Sequence, residues 1–290
     1  MNVIRARVSG FCMGVRRAVD MALEAAAAFN NVYTLGPLVH NKKILEELKA
    51  KGIKILNKDE LAPNDSTVII RAHGIAPRIE EKFDSMGINI LDATCPIVKK
   101  SQEKVKQFAK KGYTIFLAGE KDHGEIIGLK GFADNYASSD TFCYVIADQA
   151  EAEKKGKELS RLKPNARFVL LGQTTISKDE YDVIGKTLKK YFPRLKIINT
   201  ICNATVKRQD ALLELSSLVD AIIIAGGDDS ANTKRLLSLA QSLGKPAWLA
   251  ESSQDLPAEI RAFKTIGLAA GASAPYSLVD EIELALCSIN

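Results

Sequence analysis

The residues of this chain best equipped for chemistry are its five cysteines and its three histidines, His40, His73 and His123. Cys12, Cys95 and Cys202 lie far apart, yet each opens the same pattern. Gly36, Gly119 and Gly226 stand 24 residues after them, and four residues beyond each glycine comes His40, His123 or Ser230. Lys42, Glu125 and Asn232 follow two residues later. Three thiolates can hold an iron–sulfur cluster; because such clusters normally take four cysteines, a missing one leaves an open coordination position for chemistry. Two other fates stay open for these thiols. Free cysteines are most often buried packing groups, and three Cys with one His would make a four-ligand zinc site. Against zinc, the chain has no C-x-x-C pair. Cys143, in TFCYVIAD, and Cys287, in the last helix-like stretch, read as ordinary buried cysteines.

The elements that position these residues alternate in type. Apolar β-rich runs (VYTLG, TVIIRA, INILDA, YTIFLAG, FVLLG, KIINT, AIIIAGG, TIGLAAG) are interleaved with helix-like stretches, the signature of βαβ units and parallel sheets. After each repeated cysteine comes a helical segment and then a strand ending in the spaced glycine. Each unit closes on a further strand with a polar or small tip: 72–77, 173–177 and 271–275. Pro77 and Pro275 suit a first helical turn, Ser177 a helix cap, and Gly87 and Gly112 helix ends. The expected fold class is therefore α/β, with three related domains, each with a parallel sheet, arranged about a pseudo-threefold axis. The repeat places them at 1–95, 96–197 and 198–290, with Cys95 at the start of the second.

Bulk properties exclude several classes. With 290 residues and 46% hydrophobic content the chain can bury a sizeable core, which at 6% aromatics must be mainly aliphatic. A net charge of +5, with basic and acidic residues interleaved, suits a small anionic substrate and falls short of a nucleic-acid footprint. No apolar run is long enough for a membrane span. With no signal-peptide pattern and five scattered cysteines, the expectation is a cytoplasmic protein using thiolate chemistry.

In parallel α/β sheets ligands gather at the carboxyl ends of strands, where helix N-termini also point. The three cysteines and three histidines all occupy such tips. Together with Ser230, Asn232, Ser273, Thr174 and Thr175 at matching places, the histidines read as a ring of donors. Helix N-termini add partial positive charge, so the ring suits a phosphate or diphosphate. Glu125 is the exception. An acid in an anion-binding ring is expected to face the metal side instead, where its pKa would rise and it could donate a proton.

Taken in order, GFCMGVRRAV (10–19), GPLVHN (36–41), AHG (72–74), DATCP (92–96), HGE (123–125), QTT (173–175), TICNAT (200–205), SAN (230–232) and GASAP (271–275) resemble the LytB/IspH family of 4-hydroxy-3-methylbut-2-enyl diphosphate reductases over essentially the full length. The resemblance implies a cloverleaf of α/β domains around one 4Fe–4S cluster per chain, held by Cys12, Cys95 and Cys202 with one iron open. It implies reductive dehydroxylation of a small allylic diphosphate to isopentenyl and dimethylallyl diphosphates, the last step of the non-mevalonate isoprenoid pathway. His40, His73, His123, Ser230, Asn232 and Ser273 carry over as diphosphate ligands, Glu125 as the proton source, and Thr174 as the residue ordering the substrate hydroxyl and water. Electrons would come from a carrier such as ferredoxin or flavodoxin. Two positions depart from the family: Gly124 where proline is common, and Ala231 where a serine is favoured. The competing readings are a quinolinate-synthase-like 4Fe–4S lyase acting on another anionic substrate, and a zinc- or ligand-binding module.

Overall fold

A computed structural model describes residues 1–57, 60–138 and 141–289. Among these are twelve strands and ten α-helices, alternating along most of the chain, with no α-helix between β3 and β4 or between β11 and β12. The strands build three four-stranded sheets, parallel throughout. The first holds β2 (Val32–Leu35), β3 (Lys54–Leu56), β4 (Thr67–Ile70) and β5 (Asn89–Asp92), in the order β3-β2-β4-β5. The second holds β6 (Tyr113–Ala118), β7 (Cys143–Ile146), β8 (Arg167–Gly172) and β9 (Lys196–Ile198), in the order β7-β6-β8-β9.

The third sheet repeats this order with one substitution. It contains β10 (Ala221–Ala225), β11 (Ala247–Ala250) and β12 (Thr265–Ala270), and its fourth place is filled by β1 (Asn2–Arg5), from the other end of the chain. Asn2 to Arg5 pair in parallel with Thr265 to Leu268. The strand leading to Cys12 therefore belongs to the sheet made by the C-terminal third of the chain. It is the counterpart of β5, which leads to Cys95, and of β9, which leads to Cys202.

Interior strands are apolar on both faces because helices cover both sides. All five residues of β10 and all six of β6 are buried. Phe116, Phe168 and Phe192 gather the scarce aromatic area into one core, with ring centroids 3.9 Å apart for Phe168 and Phe192 and 5.4 Å for Phe116 and Phe168. Burying each such side chain is worth about 1.5–3 kcal/mol.

Helices start where local chemistry supplies a cap. Ser177 and Glu180 form a reciprocal capping box at α7 (Lys178–Tyr191), and Pro77 opens α3 (Pro77–Ser85). Pro275 caps α10 (Tyr276–Cys287) rather than opening it. Gly87 and Gly112 follow α3 and α4 (Pro96–Lys110) with φ of +69° and +70°, the left-handed ends anticipated for them.

The chain forms two compact units. One comprises Met1–Leu23, Pro37–Gly52 and Asn203–Asn290, and contains the β10 sheet. The other comprises Glu24–Gly36 and Ile53–Cys202, and contains the β2 and β6 sheets.

Candidate active site

The repeated glycines explain themselves at the strand ends. Gly36, Gly119 and Gly226 follow β2, β6 and β10 with φ of +76°, +154° and +142°. A side chain at Gly119 would put its Cβ 2.6 Å from Gln173 Oε1, and one at Gly226 would lie 2.9 Å from Thr233 Oγ1. Both the turn and the close approach of a tip side chain require glycine there.

The cysteines share a second repeat, in the backbone. The N–H of Cys95 donates to Ala72 O at 3.0 Å, that of Cys202 to Thr174 O at 2.9 Å, and that of Cys12 to Ala272 O at 3.0 Å. Each bond ties the loop after the fourth strand of a sheet to the tip after its third. Each cysteine then stands immediately before a helix: Cys12 before α1 (Met13–Ala28), Cys95 before α4 and Cys202 before α8 (Asn203–Ser216). The thiols are half-buried, and none of the five cysteines forms a disulfide. Cys12 Sγ accepts the N–H of Val15 at 3.4 Å, and Cys95 occupies the N-cap position of α4 without capping through its side chain. Reduced thiols at strand-to-helix tips are of the kind an iron–sulfur centre takes as ligands.

In the unit built on the β2 and β6 sheets, His123 caps α5 (Gly124–Tyr136). Its Nδ1 accepts the Glu125 N–H at 3.2 Å, leaving Nε2 as the protonated, donating nitrogen of the neutral ring. Glu125, in the first turn, is 1% exposed. Both its carboxylate oxygens accept from one residue: the Thr174 N–H reaches Oε1 at 2.7 Å and the Thr174 hydroxyl reaches Oε2 at 2.7 Å. A buried acid clamped in this way has one orientation. The His73 ring meets that of His123 edge-on, with centroids 4.9 Å apart.

In the other unit, His40 lies just before the N-cap Asn41 of α2 (Lys42–Ala50), one place earlier than His123 and Ser230 occupy on their helices. Equal sequence spacing thus does not give an equal helical position. Lys42, the spacing counterpart of Glu125, pairs outward with Glu251 at 2.8 Å. Ser230 caps α9 (Ala231–Ser242), accepting the Thr233 N–H. Asn232 is 5% exposed and its Nδ2 has no partner among the described residues, an arrangement that calls for a polar ligand. The Ser273 hydroxyl donates to His40 O at 3.3 Å.

Two further residues escaped the sequence reading as participants. Asp229 Oδ2 lies 3.0 Å from His40 Nδ1, and nothing in the local sequence signals that pairing. Gln173 is fully buried, accepts the Glu120 N–H at 3.0 Å and donates to Thr175 Oγ1 at 2.8 Å. Its place at the head of QTT was the available signal. Among the cysteines outside the repeat, Cys143 is a packing thiol that burial pushes up to about 12. Cys287 corrects the expectation of burial: it is exposed, because the last turn of α10 carries it away from the core lined by Leu278, Ile282 and Leu286.

Fold and site define an α/β enzyme of three like parallel sheets, with its reactive groups at the carboxyl ends of strands. The model of the LytB protein family matches residues 3–286. A Treponema denticola protein named 4-hydroxy-3-methylbut-2-enyl diphosphate reductase is 41% identical, covering 98% of each chain, and one of the same name from Aquifex aeolicus is 35% identical, covering 98% of this chain and 95% of its own. The solved E-1-hydroxy-2-methyl-but-2-enyl-4-diphosphate reductase of Plasmodium falciparum superimposes with a TM-score of 0.88 at 29% identity, over 98% of this chain and 87% of that one. A second solved structure, titled as the terminal enzyme of the non-mevalonate pathway, gives 0.71 at 34% identity over 99% of both. The chain belongs to the LytB family, a family of iron–sulfur enzymes.

Proposed function

We propose that this protein reduces 4-hydroxy-3-methylbut-2-enyl diphosphate to isopentenyl and dimethylallyl diphosphates, using one 4Fe–4S cluster held by Cys12, Cys95 and Cys202. Relatives bearing the reductase name across nearly their whole length favour this over a quinolinate-synthase-like lyase. The reaction breaks the C–O bond of the substrate hydroxyl and forms a C–H bond, consuming two electrons and two protons and releasing water. When bound, the cluster would supply the electrons singly and a Lewis-acidic iron.

The chain's own residues do the rest. His40, His73, His123, Ser230, Asn232 and Ser273 hold the diphosphate, their donors matching its acceptor oxygens. Thr174 orders the substrate hydroxyl and nearby water. Glu125 gives the proton that turns the departing oxygen into water, a better leaving group than hydroxide. The observation that carries this reading is the clamp on Glu125. A carboxyl group only 1% exposed and gripped on both oxygens by Thr174 is held in one orientation, built for one directed proton transfer rather than for solubility.

Electrons come from a small carrier such as ferredoxin or flavodoxin. No helix among the described residues is long and apolar enough to cross a membrane. We place the enzyme in the cytoplasm, whose reducing conditions suit five cysteines without a disulfide.

The test is an anaerobic assay of purified, cluster-loaded protein with a one-electron donor, read by mass spectrometry of the isoprenoid diphosphates, alongside iron and sulfide analysis. About four irons per chain and donor-dependent product are expected. Donor-independent conversion of the substrate would point to lyase chemistry, and zinc in place of iron would end the proposal.

A further inference from the structure

Arg71 is claimed by none of the roles above. It follows β4, and its carbonyl accepts the N–H of Gly74 at 2.9 Å, as that of Gln173 accepts Ile176 N–H at 3.1 Å after β8. The residue after each, Ala72 or Thr174, receives the cysteine N–H. Arg71 and Gln173 are therefore the same position in two repeats. Each sends its side chain back to the spaced glycine of its own sheet: Gln173 to Gly119, Arg71 to Gly36.

The two differ in what they find there. Gln173 has both ends of its amide satisfied within the protein. Arg71 makes no ion pair among the described residues, and its Nε is buried without a partner. Burial alone acts on its pKa, downward, but a guanidinium keeps its proton in proteins, so the charge stays. A half-buried cation with no counterion among the described residues is costly to desolvate. The neighbours do not relieve it. A Cβ on Gly36 would lie 3.0 Å from Nη1, and one on Gly124 would lie 2.7 Å from Nη2 and 3.5 Å from His73 Cβ. The guanidinium is thus wedged beside His73 at the N-terminus of the 13-residue helix α5, whose dipole adds positive charge of its own.

We propose that Arg71 is a further diphosphate-binding residue, and that Gly124 exists in this chain to let its guanidinium reach the anion. The inference rests on the reading of His73 and His123 as diphosphate ligands. It explains the departure from the common proline at position 124, because any side chain there takes the space Nη2 occupies. The planar fork of arginine matches phosphate oxygens in pairs, and two negative charges or more supply the missing counterion.

The experiment measures binding of inorganic diphosphate to the cluster-loaded protein by anaerobic calorimetry, with steady-state kinetics on the organic substrate in parallel. R71M should weaken diphosphate by roughly 10- to 150-fold. KM should rise by a similar factor while kcat changes little, since the contact serves substrate and transition state alike. R71K, which keeps the charge and loses the fork, should fall between. G124A should weaken binding by displacing the guanidinium, yet add nothing in an R71M background. Unchanged diphosphate affinity in R71M, or equal losses from R71M and R71K with additive G124A, would overturn the proposal. If R71M loses iron or unfolds, G124A and R71K decide by the same criteria. Wild-type protein that binds diphosphate through Arg71 but forms no isoprenoid product would leave this inference standing and remove the reductase assignment; product formation with R71M affinity intact would do the reverse.

Discussion

Replacing Glu125 by glutamine tests the acid role with least disturbance to the fold. Glutamine has the same shape, and its Oε1 can still accept the Thr174 N–H now held at 2.7 Å. Its Nε2 would face Thr174 Oγ1, which turns from donor to acceptor because a hydroxyl rotates to suit. Both clamp bonds survive in weaker, neutral form, so the stability cost is about 1–2 kcal/mol. What disappears is the transferable proton. Loss of a positioned general acid costs roughly 10²- to 10⁴-fold in rate, or about 3–5 kcal/mol of barrier. The assay is single-turnover product formation under anaerobic conditions, with iron content and diphosphate affinity measured on the same preparation. Both of these should match wild type while turnover collapses. Thr174→Val makes the complementary cut. It removes the hydroxyl and leaves a buried carboxylate oxygen without its donor, at about 1–3 kcal/mol of stability, and Thr174→Ser should restore the loss. Turnover of Glu125→Gln within about threefold of wild type, a barrier change below ~1 kcal/mol, would refute the reasoning.

Three other outcomes follow from the same geometry. Cys95→Ser, and equally Cys12→Ser or Cys202→Ser, should lose cluster and activity together, whereas Cys143→Ser should keep both; wild-type iron content in Cys95→Ser contradicts the ligand set. In apoprotein at pH 8, iodoacetamide should label the exposed Cys287 well before Cys143, whose thiol at about 12 is neutral there and becomes thiolate only as pH rises towards that value. Peptide mapping that finds Cys143 labelled first would contradict its half-buried packing against the core of the β6 sheet. Ala231→Ser, which restores the hydroxyl favoured by the family at the first residue of α9, should lower KM by up to roughly tenfold or leave it unchanged. A marked rise would mean the pocket is shaped for a different anion.

The sequence by itself determined the repeat, the parallel α/β class and the chemistry-bearing tips, because these leave periodic marks. Strands buried on both faces, such as AIIIA and YTIFLA, are almost wholly apolar, and a turn at positive φ favours glycine. The strands it did not reveal, β1, β3, β7 and β11, all lie at sheet edges, where one side is open and residues such as Lys54 and Ile55 are exposed. No local rule could send Asn2–Arg5 to the far end of the chain to close a sheet with β12, since strand pairing is a long-range choice made by burial. Tertiary structure alone decided that Thr174 grips both oxygens of Glu125, that His40 meets Asp229, and that the Arg71 Nε is buried with no partner among the described residues. Hydrogen bonding and charge compensation depend on where side chains end in space, and residues 49 apart, as Glu125 and Thr174 are, share no pattern along the chain.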